Sequence, residues 1–259
     1  WGSVFCHTDS HIQRDEGGAP EFFGNGLRLA PMDGEQGKLT PSDLENAMKN
    51  AEGHGVHSYK PAALNISQAT EAGTVYSIDE VNDLCDFAHS MDLKTHMDGA
   101  RFANAISSLG CHPGEITCQA GIDMLSFGAS KNGCMSAEAL LIFNQPQWRE
   151  TAERLRKRSG HLLSKMRYVS AQLLAYIEND RWLVMAGHAN RLAARFAQSI
   201  ESHAGASLVY PVEANEVFVN WTIEGFDHLK LQGIEFRLWP GRDDLARFVF
   251  GYSTSEQET

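Results

Sequence analysis

The sequence predicts an α/β fold with a mostly parallel sheet, followed by a small C-terminal α+β domain. Up to about residue 145, short apolar runs bounded by turn residues alternate with stretches of helical spacing. After Pro146 the pattern changes to long segments rich in Arg, Leu and Ala, and strand-like runs follow them. We therefore expect a large domain at 1–180, including a connecting helix, and a small domain at 181–259.

In the first part of the chain, turn and capping residues separate the predicted elements. Thr40 and Pro41 are typical of a helix start, Ser77 caps the next helix, and a third helix runs from about Arg101 to Gly110. Residues 7–26 are expected to form loops with one short helix. The strands are expected at 27–32, 62–67, 93–97, 122–125 and 139–143.

The second part of the chain mixes helices and strands. Residues 147–204 are predicted to be mainly helical, with a break near Gly187. A further helix is expected at 225–232. The strands are expected at 207–210, 216–222, 234–239 and 246–252. This mixture indicates the small α+β domain.

Composition limits the classes of function. The chain has 259 residues and a formal net charge of −11. An acidic surface argues against nucleic acid or an anionic membrane as the main partner. No apolar run approaches the roughly 20 residues that a membrane helix needs. We therefore expect a globular protein that acts on a small molecule.

The five cysteines are odd in number and show no C-x-x-C spacing. This pattern indicates reduced thiols, and we expect a cytoplasmic protein. The start of the chain shows no basic segment followed by the apolar segment of a secretory signal. The chain begins at Trp1 and runs directly into an apolar stretch, which suggests a piece of a longer protein.

Lys131 is the first candidate for chemistry. It follows a predicted buried strand within a segment of small residues, and an amine with little bulk around it can form a Schiff base with an aldehyde. Asp98 and Arg101 follow the preceding strand, and the separation of 131 − 98 = 33 residues allows one helical crossover between neighbouring parallel strands. Because ligands bind beyond the carboxyl ends of such strands, these side chains should meet at one sheet edge. A solvated lysine and an ordinary turn are the alternatives.

Two histidines raise the question of a metal. His7 and His11 lie four residues apart, a spacing that could ligate a metal on a helix. The sequence has no H-E-x-x-H motif and offers no obvious third ligand, so we expect no metal site. A Rossmann fingerprint, a P-loop and a G-x-S-x-G motif are also missing. Their absence argues against the commonest nucleotide-binding and serine-hydrolase functions.

Four segments carry a resemblance to a known family. They are residues 15–23 (DEGGAPEFF), 68–76 (QATEAGTVY), 96–105 (HMDGARFANA) and 121–133 (GIDMLSFGASKNG). Their joint order and spacing resemble the low-specificity L-threonine aldolases of the β-eliminating lyase group. The resemblance runs from about residue 4 to residue 254. It implies a large domain of the PLP-dependent transferase-like fold (fold type I), with pyridoxal 5'-phosphate (PLP) as cofactor.

The resemblance also implies which residues bind the cofactor. Lys131 would form the Schiff base with PLP, and Asp98 would keep the pyridine nitrogen protonated, which makes the ring an electron sink. His11 would stack on one face of the ring, and Ala100 would pack on the other. The further cofactor contacts implied are Ser130 and, toward the phosphate, Arg167.

The implied reaction is retro-aldol cleavage of β-hydroxy-α-amino acids, of the L-threonine, L-allo-threonine or phenylserine type, into glycine and an aldehyde. Arg101 and Arg247 would hold the substrate carboxylate, because a forked guanidinium suits that group. They would also orient the breaking bond. The base that takes the β-hydroxyl proton stays open between His11, acting through a water, and Glu71, where some relatives have a histidine.

Two alternatives to this function remain at the level of the sequence. Members of the group carry an N-terminal segment with a phosphate-cradling loop, which this sequence lacks. An inactive fragment or an interaction protein is therefore one alternative, and another PLP-dependent amino-acid lyase or aminotransferase is the other. The partners expected are the amino-acid substrate and further copies of the chain, in a homodimer or homotetramer, without nucleic acid or membrane.

Overall fold

The computed structural model describes residues 1–52 and 55–257. The last two residues of the predicted small domain, 258 and 259, lie outside the described residues. The first part of the chain forms one sheet, whose strands are β1 (Gly2–His7), β2 (Arg28–Met32), β3 (Lys60–Ser67), β4 (Lys94–Gly99), β5 (Met124–Gly128) and β6 (Glu138–Ile142). Their order is β2-β1-β3-β4-β5-β6. All neighbours are parallel except β5 and β6, which confirms the mostly parallel sheet of an α/β fold.

Helices connect these strands, and their ends follow the predicted signals. They are α1 (His11–Arg14), α2 (Ala19–Phe23), α3 (Pro41–Glu52), α4 (Ile78–Ser90) and α5 (Phe102–Leu109). Ser77 and Glu80 form a reciprocal capping box at the start of α4. Gly110 ends α5 in the left-handed conformation, at φ 62°. The predicted helix starts are confirmed, while the segment 7–26 contains two short helices where one was predicted.

The edge of the sheet where the candidate residues were predicted to meet lies at the ends of β4 and β5. These strands are parallel neighbours, with Asp98 beside Ser126 and Gly99 beside Phe127. Helix α5 forms the crossover between them. The predicted crossover is therefore confirmed, and it brings the residues after β4 and after β5 to the same edge.

A helical region follows the sheet. Its helices are α6 (Arg149–Arg158), α7 (Arg167–Ile177) and α8 (Arg181–Glu201). The predicted break near Gly187 is wrong, because α8 runs through this residue and the helices are interrupted at 159–166 and 178–180 instead. A Cβ at Gly187 would lie 2.9 Å from the Ser107 Oγ of α5. The glycine therefore permits close helix packing and does not end the helix.

The C-terminal part forms a second, antiparallel sheet. The strands of this sheet are β7 (Ser207–Leu208), β8 (Glu216–Asn220), β9 (Arg237–Trp239) and β10 (Arg242–Val249), in the order β7-β8-β10-β9. Helix α9 (Ile223–Leu231) follows β8. The predicted start of β10 at residue 246 is four residues late. Charged residues at Arg242 and Asp244 hid the strand, which begins directly after the Pro240-Gly241 turn.

Helix α8 contributes to both hydrophobic cores. Trp182 and Ala186, in its first half, pack in the core of the large sheet. Leu192 and Ile200, in its second half, pack in the core of the small sheet. The boundary between residues 180 and 181 therefore stays a prediction. Within the described ranges, no helix is long and apolar enough to cross a membrane.

Candidate active site

Lys131 lies in a short 3₁₀ turn, Ser130–Asn132, just beyond β5. Both neighbours of the lysine are anchored. Buried Asn132 donates from Nδ2 to the hydroxyl of Tyr176 at 2.8 Å and to the carbonyl of Trp182 at 2.9 Å. The Ser130 hydroxyl accepts a hydrogen bond from the backbone of Ala137 at 3.1 Å. The turn is thus fixed on both sides, while Lys131 itself remains partly accessible to solvent.

A cavity of about 510 Å³ lies over this turn. Five residues singled out in the sequence border it together: His11, Asp98, Ala100, Ser130 and Lys131. The other lining residues are Ile12, Glu16, Ala19, Pro20, Phe23, Asn65, His96, Ser126 and Glu138. The cavity therefore has a polar base at the strand ends, and α1 and α2 supply apolar side chains to its lining.

The surroundings make the Lys131 amine a better nucleophile. Burial by the surrounding protein lowers the pKa of Lys131, and the nearby Arg101 charge lowers the pKa further. Asp98, Glu216 and Glu138 act in the opposite direction but do not cancel the effect. A lowered pKa enlarges the fraction of neutral amine, the form that attacks a carbonyl.

His96 and Asp98 lie on the same face of β4 because successive side chains of a strand alternate. The His96 ring pairs through Nδ1 with Asn65 Oδ1 at 2.6 Å and through Nε2 with Ser126 Oγ at 2.9 Å. Burial lowers the pKa of His96 and favours the neutral ring. The sequence interpretation assigned no role to His96, although the two-residue spacing from Asp98 was a usable signal.

Glu71 holds the main chain at His11. Its Oε1 accepts hydrogen bonds from the His11 amide at 2.8 Å and from the Ser67 hydroxyl at 2.7 Å. Burial raises the pKa of the Glu71 carboxyl. The His11 ring borders the cavity, and its nitrogens lie 3.3 Å from Asp15 and 3.2 Å from Glu16. Glu71 is not among the lining residues, so the two candidate bases occupy different positions.

His7 and His11 do not form a metal site. His7 uses both ring nitrogens, since Nε2 donates to the carbonyl of Gly34 at 3.0 Å and Nδ1 accepts from the Asp9 amide at 3.1 Å. In the part of the chain that the structure describes, no group of three or more His, Cys, Asp or Glu side chains is arranged to hold a metal.

The two arginines assigned to the substrate lie together, although they are 146 residues apart in the chain. Glu216 Oε1 accepts a hydrogen bond from Arg101 Nη2 at 2.8 Å and lies 3.6 Å from Arg247 Nη1. The sequence analysis did not single out Glu216. Arg167 is exposed and does not line the cavity. Its proposed contact with the cofactor phosphate therefore stays a prediction.

Known proteins are similar to this chain in sequence and in architecture. The family described as beta-eliminating lyase matches residues 1–224. The low specificity L-threonine aldolase of Pseudomonas aeruginosa is 40% identical over 253 residues, which cover 97% of this chain and 72% of the relative. The enzyme of the same description from a Pseudomonas sp. is 41% identical, covering 98% of this chain and 72% of the relative. The solved threonine aldolase of Leishmania major superposes with a TM-score of 0.91 at 27% identity, covering 100% of this chain and 74% of that one.

Proposed function

Because the chain belongs to the beta-eliminating lyase family, we propose that it is a PLP-dependent lyase that cleaves β-hydroxy-α-amino acids. The substrates are amino acids of the L-threonine, L-allo-threonine or phenylserine type, and the products are glycine and an aldehyde. The observation that carries this proposal is the meeting of Lys131 and Asp98 at one cavity, at the carboxyl ends of neighbouring parallel strands.

The residues of the cavity fit PLP. Lys131 offers an amine whose pKa is lowered by partial burial, and Asp98 offers a carboxyl group that lines the same cavity. The Asn65 amide lines the cavity, and its buried Nδ2 has no hydrogen-bond partner. A buried donor without a partner is costly, so a polar group bound in the cavity would relieve it.

The five cavity residues that the sequence analysis singled out each have a role in this proposal. Lys131 would hold the cofactor through Nζ, Asp98 would pair with the pyridine nitrogen, and His11 and Ala100 would pack against the ring. When bound, PLP supplies an electron sink for the bond that breaks at the substrate Cα. Ser130 borders the same cavity and is kept as a cofactor contact.

Arg101 and Arg247 hold the substrate carboxylate and so fix the orientation of the breaking bond. The position of His11 at the cavity supports it as the group that takes the β-hydroxyl proton, through a water. Glu71 contacts the His11 amide and not the ring, which supports a positioning role. The raised pKa of Glu71 leaves its carboxyl as the second candidate.

We also infer a homo-oligomer, a dimer or a tetramer, that works in the cytoplasm. The exposed apolar side chains of α7 support an interface, with Tyr168 67% and Leu174 65% exposed. The five cysteines are unpaired, which supports a reducing compartment. Sedimentation of the purified chain measures the oligomeric state, and a fully active monomer would contradict the inference.

Product analysis tests the proposed function. The chain is incubated with PLP and L-threonine, L-allo-threonine or phenylserine, and glycine and the aldehyde are quantified. Glycine and aldehyde in equal amounts are expected, and Lys131→Ala should abolish both. Lys165→Ala, which removes an exposed lysine outside the cavity, is the matched control. A keto acid with ammonia, or full activity of Lys131→Ala, would refute the proposal.

A further inference from the structure

The carboxylate of Glu216 is buried between two arginines. Its side chain is fully buried, while those of Arg101 and Arg247 are 16% and 28% exposed. Burying an ion without a partner is costly, so a buried carboxylate is stable only when cations or donors compensate it. Arg101 provides the hydrogen bond, and Arg247 lies close enough to share the charge.

The backbone fixes this cluster from three sides. Glu216 begins β8 and lies opposite Val249 of β10, so Arg247 is its diagonal neighbour on the same face of the small sheet. Arg101 lies two residues after β4 of the large sheet and directly before α5. Gly73 packs against the main chain of Glu216, where a Cβ would lie 3.0 Å from the Glu216 carbonyl. Glu216 therefore contacts both Arg247 of the small sheet and Arg101 at the edge of the large sheet.

Most guanidinium donors remain available. A guanidinium carries five N–H donors, and Arg101 uses one of them on Glu216. The other N–H groups of Arg101, and those of Arg247, have no hydrogen-bond partner within residues 1–52 and 55–257. Two partly exposed guanidinium groups are thus held side by side with free donors, the arrangement needed to bind a second carboxylate bidentately.

We propose that Glu216 is a positioning residue for the substrate carboxylate, because it clamps Arg101 and Arg247 into one binding pair. The inference rests on the proposed function, in which these arginines receive the carboxylate of the amino acid. Glu216 does not contact the substrate. It keeps the two guanidinium groups together despite their like charges and leaves the pair with one net positive charge for the incoming anion.

A purely structural role for Glu216 makes a different prediction. If the residue only stabilised the fold, its replacement would lower the melting temperature and the amount of active protein, without changing the apparent affinity of the remaining sites. If it positions the arginines, its replacement raises KM while kcat changes little, since a contact made in both ground and transition state is lost.

The test compares Glu216→Gln with wild type in steady-state cleavage of L-threonine by the PLP-loaded chain. KM should rise by about tenfold, the effect of disturbing one charge-assisted hydrogen bond, while kcat stays within about twofold. Glu213→Gln is the matched control. Glu213 lies three residues away and accepts a hydrogen bond from the Val75 amide at 2.6 Å, so its replacement should leave KM unchanged.

A second readout does not depend on activity. Guanidinium NMR signals, assigned with Arg101→Lys and Arg247→Lys, report how firmly each group is held. In wild type the Arg101 signals should be narrow and should shift on addition of glycine. Glu216→Gln should broaden them and require about tenfold more glycine for the same shift. Glu216→Asp keeps the charge but withdraws it by one methylene, so its effect on the Arg101 signals should be smaller. This variant replaces Glu216→Gln if the glutamine variant is unstable.

The outcomes separate the two proposals. Wild-type chain that produces no glycine from threonine would refute the proposed function, and the glycine titration would still decide on Glu216. Active wild type with an unchanged KM and unchanged Arg101 signals in Glu216→Gln would overturn the positioning role alone. A rise in KM together with broadened signals, absent in Glu213→Gln, supports it.

Discussion

Replacing Asn132 by alanine should loosen the turn that carries Lys131. The Asn132 side chain is 5% exposed and donates both of its amide hydrogens, to the Tyr176 hydroxyl at 2.8 Å and to the Trp182 carbonyl at 2.9 Å. These bonds connect the turn to α7 and to the start of α8. The substitution removes both bonds and leaves the buried Tyr176 hydroxyl without a described partner.

The magnitude follows from these contacts. Each lost hydrogen bond costs about 0.5–1.5 kcal/mol, and a buried hydroxyl left unsatisfied adds about 1–3 kcal/mol. Asn132→Ala should therefore destabilise the fold by about 2–6 kcal/mol. Tyr176→Phe removes only one of the bonds and should cost about 1 kcal/mol. The double variant loses the shared bond only once and leaves no unsatisfied hydroxyl, so its cost should fall short of the sum by about 1.5 kcal/mol or more.

Urea unfolding followed by tryptophan fluorescence measures these free energies, with constant m values as the condition for comparison. The Lys131 amine should also lose its fixed position, so the rate of product formation should fall in Asn132→Ala more than in Tyr176→Phe. A cost below about 0.5 kcal/mol for Asn132→Ala, the level of an ordinary surface change, would refute the anchoring role. Strict additivity of Asn132→Ala and Tyr176→Phe would refute their coupling.

Three further predictions concern the same edge of the sheet. Because the pKa of Glu71 is raised above its ordinary value of 4.5, the folded state binds a proton more tightly than the unfolded state. Glu71→Gln should therefore gain stability relative to wild type as pH rises above 4.5. A difference in unfolding free energy between the two proteins that does not change with pH would contradict this. The rate of Lys131 acylation, measured by mass spectrometry, should reach half its maximum below pH 10.5, and Arg101→Met should raise this midpoint pH. A midpoint at pH 10.5 in both proteins would contradict the lowered pKa of Lys131. Gly128→Ala places a Cβ 2.8 Å from the Ala100 Cα and should cost about 1–3 kcal/mol in the same unfolding assay, and a neutral effect would show that the strand ends can separate freely.

The cavity could be predicted from the sequence to the extent that local patterns and topology define it. Apolar runs with turn residues identified β4 and β5, and the crossover rule then placed Asp98 and Lys131 at one edge. The starts of α3 and α4 followed from capping residues alone. These features depend on short segments and on a general rule for parallel strands, so a single sequence was sufficient.

Contacts between distant segments could not be predicted in this way. Glu216 meets Arg101 across 115 residues, and no local pattern encodes that separation. Its only local signal is a charged residue at the start of an apolar, strand-like run. Gly187 was misinterpreted for a related reason, because helix propensity describes the isolated helix and not the close approach of α5 that the glycine permits.

The proposed function requires that the cavity at the ends of β4 and β5 holds PLP on Lys131. The most direct test is to add PLP, reduce with borohydride and map the pyridoxyl group by peptide mass spectrometry. One labelled peptide, containing Lys131, is expected, and Lys131→Ala should show no such label. Label spread over exposed lysines such as Lys60 and Lys230, without preference for Lys131, would contradict it.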